Sequence, residues 1–202
     1  MYNSYKELKE ALSKANQKYK LLLHSCCAPC SSHVLMLLKP YFDITIYYTN
    51  DNIYPESEYQ ARLLEQIRFC KNIDYNIQVV ADPYLPNDFN QQIEGLEQLG
   101  ERSQRCYNCY KLRLEKTAKK AKELSFDFFT TTLSISPYKV TSWINEIGLQ
   151  LEQKYQIPFL YSDFKKDEGY KHSITLSKEY GLYRQDYCGC IYSLKERSMH
   201  DE

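Results

Sequence analysis

The chain contains no run of about 20 consecutive apolar residues, so its sequence supplies no membrane-spanning helix. It has no net charge: 26 Lys and Arg balance 26 Asp and Glu, which argues against a generically basic nucleic-acid coat protein but leaves room for a local basic patch. Glycine (6) and proline (7) are scarce and nowhere gather into a linker. No internal repeat or low-complexity tract interrupts the 202 residues, so a single domain over 1–202 is expected. The glycine-rich phosphate loop is missing, which leaves nucleotide triphosphate binding unsupported. No Ser-His-Asp order and no paired-carboxylate motif stands out. The opening MYNSYKELKEALSKANQ is charged and amphipathic, unlike a secretory signal. A cytoplasmic chain with reduced thiols, no membrane partner and no disulfide framework is therefore expected.

Two residue types are abundant: there are 20 tyrosines and eight cysteines. The tyrosines accompany much Lys, Asn and Ile, as an A/T-biased genome produces, although some can stack on bases. The cysteines carry more information, because seven of them fall in three tight groups. These are His24-Ser25-Cys26-Cys27-Ala28-Pro29-Cys30, Arg105-Cys106-Tyr107-Asn108-Cys109 and Cys188-Gly189-Cys190. Cys70 stands alone beside an apolar stripe and reads as a packing residue.

Periodicity divides the chain into alternating elements. Tyr5, Leu8, Leu12, Ala15 and Tyr19 recur at helical spacing, which predicts a helix over residues 1–19. The α/β catalytic domain then runs over 20–195, with a tail at 196–202. Strands are expected at Lys20–His24, Asp43–Tyr48, Asn76–Ala81, Phe126–Thr132 and Ile157–Tyr161. Helices are expected from Pro29 to about Leu38, over Glu56–Lys71, Tyr110–Leu124 and Val140–Leu151, and over Ser173–Tyr180 with Gly181 ending it. Residues 83–100 read as mixed helix and loop. Such alternation implies βαβ units and a doubly wound, mostly parallel sheet. In such sheets functional groups collect beyond the carboxyl ends of strands, and every cysteine group but the last follows this rule or opens a helix.

A Cys-x-x-Cys pair can be a redox dithiol, half a zinc site or half an iron–sulfur site. Structural zinc and a four-iron cluster each take four ligands, and seven thiols exceed either. The surplus points to a second metal or a reactive thiol beside the first centre. Soft thiolate suits iron–sulfur and zinc alike, so the donor set alone leaves both open. Helix N-termini carry partial positive charge and free N–H groups, which favour thiolates at the first two groups. Gly189 permits a tight turn that brings Cys188 and Cys190 to one site. The expected division gives Cys26, Cys27, Cys106 and Cys109 to a cluster, leaving Cys30, Cys188 and Cys190 to a second metal or to the reaction.

Other polar groups lie in the loops. Asn50, Asp51 and Asn52 leave a strand end, where their residue types also favour an ordinary turn. The hydroxyl-dense run Thr130–Lys139 ends in a lysine before a helix and suits a phosphate. Asp163–His172 mixes charge with aromatics and, with Lys116, Lys119, Lys120 and Lys122, can meet an RNA backbone or simply face solvent. Asn50, Asn52, Lys139, Lys165 and Arg184 are candidate substrate contacts. His24, next to the cysteine pair, is a candidate catalytic group or a core histidine.

At these motifs the chain resembles the cobalamin-independent epoxyqueuosine reductases of tRNA queuosine synthesis. The resemblance rests on LLLHSCCAPCSS, YYTNDNIYPESEYQAR, ERSQRCYNCYKLRLE, FTTTLSISPYK and YSDFKKDEGYKHSITLSKEYGLYRQDYCGCIYS, which together span residues 21 to 193. It implies a fold similar to the adenine-nucleotide α-hydrolase (HUP) group and reduction of epoxyqueuosine to queuosine in the anticodon loop of tRNA. It implies a [4Fe–4S] cluster and an adjacent mononuclear iron held by Cys26, Cys27, Cys30, Cys106, Cys109, Cys188 and Cys190, with neither cobalamin nor a nucleotide. The electrons come from a donor the sequence does not identify. Asp51, Asp163 and His24 are candidate proton donors, and Tyr54, Tyr138 and Tyr170 candidate stacking partners for bases. Two other readings compete: a thiol–disulfide oxidoreductase using Cys106 and Cys109, and a zinc-stabilised RNA-binding module without activity.

Overall fold

The structure, a computed structural model, describes residue 10, residues 18–74 and residues 76–198. The helix expected over 1–19 falls almost wholly outside the described residues. Tyr19, its last expected member, opens strand β1 (Tyr19–His24). It pairs with Phe42, and its ring meets Phe128 edge-on at 5.6 Å. Strand pairing and aromatic packing thus claim a residue whose spacing alone suited a helix.

Four strands form one all-parallel sheet: β1, β2 (Phe42–Tyr48), β3 (Gln78–Ala81) and β4 (Phe128–Thr131), in the order β3-β2-β1-β4. The short apolar run after Lys20 is central, and Leu21, Leu22 and Leu23 are fully buried. Burying each contributes about 1.5–3 kcal/mol, and burial on both sheet faces explains why this strand shows no alternation. Leu21 and Leu23 pack with Ile44, Val34, Leu35, Leu38 and Phe69 on the face covered by α1 (Ala28–Leu38) and α2 (Glu56–Ile73). Leu22 packs with Phe129, Leu114, Ala118, Ile144 and Ile147 on the face covered by α4 (Gln104–Glu123) and α5 (Thr141–Tyr155). Helices on both faces make the sheet doubly wound.

The expected fifth strand reduces to a single parallel bridge between Phe129 and Phe159. The Phe129 amide donates to Pro158 O and the Leu160 amide to Phe129 O, after which no further rung forms. The Phe159 ring then packs against α5 at Gly148, where an added Cβ would lie 2.3 Å from Cε1. Three further helices complete the fold: α3 (Pro86–Gln92), α6 (Gly169–Glu179) and α7 (Ile191–Ser198). Helix α7 forms where loop and tail are expected, and α4 and α6 begin six and four residues ahead of their expected starts. The polar first turns of α4 and α6 hide their starts, because the apolar stripe begins only further on. Among the described residues no helix is long and apolar enough to cross a membrane.

Strand order reverses between β1 and β4, so the crevice of a doubly wound sheet opens beyond His24 and Thr131. The first cysteine group leaves β1 at that point.

Candidate metal centre

Cys26 and Cys27 sit in the turn from β1 to α1, and Cys30 lies in the first turn of α1 behind Pro29, a residue suited to a helix start. Their three sulfurs lie within 4.8 Å of one another, with Cys26 and Cys27 3.8 Å apart. The turn is held from α2. Gln66 Oε1 accepts from Ser25 Oγ at 2.8 Å and from Ser31 Oγ at 3.1 Å, and its Nε2 donates to Cys70 Sγ at 3.2 Å. Hydrogen bonds from Cys27 and Cys30 pull the Cys26 thiol well below its usual range. Reciprocally, the bond to Cys26 pushes Cys27 up to about 12 and Cys30 well above the ordinary value. The three sulfurs thus share contacts that favour negative charge on Cys26, and a metal ion binding there would displace their protons.

The other four thiols gather from two elements. Cys106 and Cys109 project from the first two turns of α4. Cys188 and Cys190 flank Gly189, whose φ of 123° is open only to glycine, as the turn there requires. Lys139 Nζ donates to Cys188 Sγ at 2.5 Å. Burial raises Cys109 to about 11, and burial with the neighbouring Cys188 raises Cys190 to about 12 and Cys106 above its usual value. The sulfurs that lie closest are therefore Cys26, Cys27 and Cys30, a different grouping from the pairing of Cys26 and Cys27 with Cys106 and Cys109. Cys26, Cys30 and Cys188 nonetheless face one cavity of about 440 Å³, whose wall also includes Lys139, Tyr170 and Arg184.

The remaining candidates divide by position. Lys139 and Arg184 line the cavity, the latter held by Ser177 Oγ at 3.0 Å. His24 is fully buried and does not line it. Its Nε2 faces the Arg113 Nε–H at 3.3 Å and must accept, so Nδ1 carries the proton and donates to Thr131 Oγ1 at 2.7 Å. Burial, reinforced by Arg113, lowers its pKa to about 3, so the ring stays neutral at pH 7. Asn50 is buried too, donating to Ser25 O and accepting from Arg113 Nη2 at 2.7 Å. Asp51 pairs with Lys116 at 2.6 Å and caps the Leu85 amide, on the wall of a second cleft shared with Asn52. Asp163 pairs with Lys165 at 2.9 Å, and Lys165 also bonds Thr141. Neither of these two lines the large cavity.

The sequence motifs assign no role to three arginines that the fold buries. Arg62, Arg105 and Arg113 are 1–2% exposed. Arg113 spans the two thiol sets, reaching His24, Asn50 and, at 3.9 Å, Cys109 Sγ. Arg62 pairs with Glu58 at 2.7 Å, lies over the Tyr187 ring and reaches Cys188 O. Arg105 pairs with Glu196 and stacks on Tyr192. Gln185, also unremarked, donates to Cys27 Sγ at 2.9 Å. One signal was available: Arg105, Cys109 and Arg113 recur every fourth residue and so share a helix face.

Does an anionic metal cluster fit these residues? Buried N–H groups of Arg62 (Nη2) and Arg105 (Nε and Nη1) have no hydrogen-bond partner among the described residues. Leaving such donors unpaired costs about 1–3 kcal/mol each, so the surroundings of the thiols suit a negatively charged acceptor. A doubly wound α/β sheet whose carboxyl rim carries the clustered thiols of Cys26, Cys27 and Cys30 beside buried cations defines a protein with the donor set of a thiolate metal centre.

The sequence comparisons make the identification specific. A family model described as Epoxyqueuosine reductase QueH matches residues 21–196. The Epoxyqueuosine reductase QueH of Streptococcus pyogenes is 39% identical over 197 residues, covering 96% of this chain and 77% of that protein. The QueH of Haemophilus influenzae is 38% identical over 198 residues, covering 96% of this chain and 80% of that protein. The QueH of Thermotoga maritima is 35% identical over 180 residues, covering 88% and 91%. This chain belongs to the QueH family.

Proposed function

We propose that the chain is an epoxyqueuosine reductase acting on tRNA in the cytoplasm. The observation that carries this reading is the trio Cys26, Cys27 and Cys30, whose sulfurs lie within 4.8 Å of one another at the switch point of the sheet, with Cys26, Cys30 and Cys188 opening on a cavity large enough for a modified base. Removing the epoxide oxygen leaves an alkene and water, and consumes two electrons and two protons. A [4Fe–4S] cluster with an adjacent iron, the first on Cys26, Cys27, Cys106 and Cys109 and the second by Cys30, Cys188 and Cys190, would supply electrons and a Lewis acid for C–O cleavage.

The chain's own residues do the rest. Tyr138 and Tyr170, both on the cavity wall, offer faces on which a splayed anticodon base stacks. Lys139 and Arg184 place positive charge beside the substrate and its phosphates. Protons come from groups that line the cavity, of which Lys139 and Glu101 are two; Glu101 accepts from Ser193 Oγ at 2.7 Å. His24, Asp51 and Asn50 serve as positioning residues through the bonds described above. A thiol–disulfide oxidoreductase fits poorly, since an attacking thiol needs a lowered pKa and both Cys106 and Cys109 are raised.

The test is anaerobic purification with metal analysis, then incubation with tRNA carrying epoxyqueuosine and a strong chemical reductant. More than four irons per chain and conversion to queuosine, read by nucleoside mass spectrometry, are expected. Stoichiometric zinc without iron, or tRNA binding without conversion, would refute it.

A further inference from the structure

Charge balance around the thiols is uneven. Four cations lie among them: Arg62, Arg105, Arg113 and Lys139. Glu58 neutralises Arg62, and Glu196 neutralises Arg105. Arg113 and Lys139 have no carboxylate partner among the described residues; their partners are Cys109, His24 and Asn50 for the first and Cys188 for the second. A buried guanidinium without a counter-ion is costly, and its retention implies an anion that completes the site. Thiolates of a metal centre are that anion, and each electron added to the centre makes it more negative. By contact, Arg113 reaches Cys109 Sγ at 3.9 Å and Arg62 reaches Cys188 O at 3.4 Å.

We propose that Arg113, supported by Arg62, is a positioning residue that fixes the reduction potential of the metal centre, its unpaired buried charge favouring the reduced state. This rests on the iron-dependent reading above. Arg113 is suited to the role by where it stands. From its place on α4, the guanidinium forks between the end of β1 (His24), the β2 loop (Asn50) and Cys109 one turn back on its own helix, so one cation ties a thiol to the two strand ends beside the cysteine turn. Lysine would keep the charge but not the fork. Arg62 adds a charge that Glu58 partly cancels. Neutralising that carboxylate therefore shifts the potential in the sense opposite to losing Arg113.

Anaerobically reconstituted protein is titrated against redox mediators, with the reduced cluster read by electron paramagnetic resonance and iron counted per chain. Arg113→Met is expected to retain iron yet lower the reduced fraction at a fixed ambient potential about tenfold, about 59 mV for a one-electron couple. Arg113→Lys is expected to recover most of that loss. Glu58→Gln, which keeps shape and leaves Tyr183 a partner, is expected to raise the reduced fraction about threefold. Opposite signs from Arg113→Met and Glu58→Gln are what general structural damage does not produce. Should Arg113→Met fail to hold iron, Arg113→Gln, which removes the charge but keeps an amide donor for Asn50, is titrated in its place with the same expected loss, and failure of both to hold iron overturns the proposal. Iron-replete variants titrating within twofold of the parent protein overturn the proposal while leaving the reductase reading intact. A parent chain that takes up no iron overturns both.

Discussion

Replacing Gln66 by leucine tests how the metal-binding turn is held. Gln66 is fully buried on α2 and receives hydroxyl protons from Ser25 and Ser31, on either side of the cysteine trio. Both serines retain a backbone acceptor in the variant: Ser25 Oγ lies 3.3 Å from Cys27 O, and Ser31 Oγ lies 3.0 Å from Ala28 O. The loss is therefore chiefly the net worth of the two serine hydrogen bonds, about 1 kcal/mol each, with the bond from Gln66 Nε2 to the weakly accepting Cys70 sulfur adding little, and without the larger penalty of an orphaned donor. Leucine has nearly the volume of glutamine, so little cavity cost is added. The apo-protein should lose about 2 kcal/mol, which at a slope of about 2 kcal/mol/M moves the urea midpoint down by about 1 M. A cycle with Ser25→Ala should give a coupling of about 1 kcal/mol, because the two side chains share one bond. Iron retained after desalting should fall, since the turn no longer holds its sulfurs together. A midpoint within 0.2 M of the parent at unchanged slope, or zero coupling, would refute the tether.

Cys70→Ala should keep its iron and its activity while losing about 1–2 kcal/mol, from a small cavity and an unpaired Gln66 Nε2; loss of iron from this variant would place Cys70 in the centre. Lys116→Met strands the buried Asp51 carboxylate and should cost about 3 kcal/mol in urea unfolding, with much of that recovered by adding Asp51→Asn; an unchanged midpoint would free Asp51 for a chemical role. His33 on α1 bonds His172 on α6 at 2.9 Å, and burial followed by the His172 charge holds its pKa below 6.5. Below pH 6.5 the unfolded chain therefore binds the proton first, so this contribution to stability is lost as pH falls from 6.5, and His33→Gln should flatten that slope. Equal slopes in the two proteins would contradict it.

Among the elements, the strongly patterned ones were legible. The run Leu21–Leu23 named the central strand because only a strand buried on both faces tolerates unbroken apolarity, and the single bridge at Phe159 marks where a similar short run did not suffice. The helix α7 escaped because its eight residues bury chiefly Ser193, leaving no apolar stripe to read. Lys139 and Arg184, candidate substrate contacts in the sequence, lie on the cavity wall. Asp51 and Asn50 were chemically eligible in sequence, but their charged partners, Lys116 and Arg113, come from α4, more than 60 residues away.

Cysteine spacing by itself settled that three local groups exist and that α/β alternation would carry two of them to strand ends or helix starts, because thiol chemistry and the 3.6 and 2.0 periods are local properties. Only the tertiary structure decided which sulfurs approach one another, that Arg62, Arg105 and Arg113 turn inward, and that His24 stays neutral. Those outcomes depend on burial and on partners distant in the chain, and an arginine's sequence neighbours are the same whether it faces water or a buried thiolate.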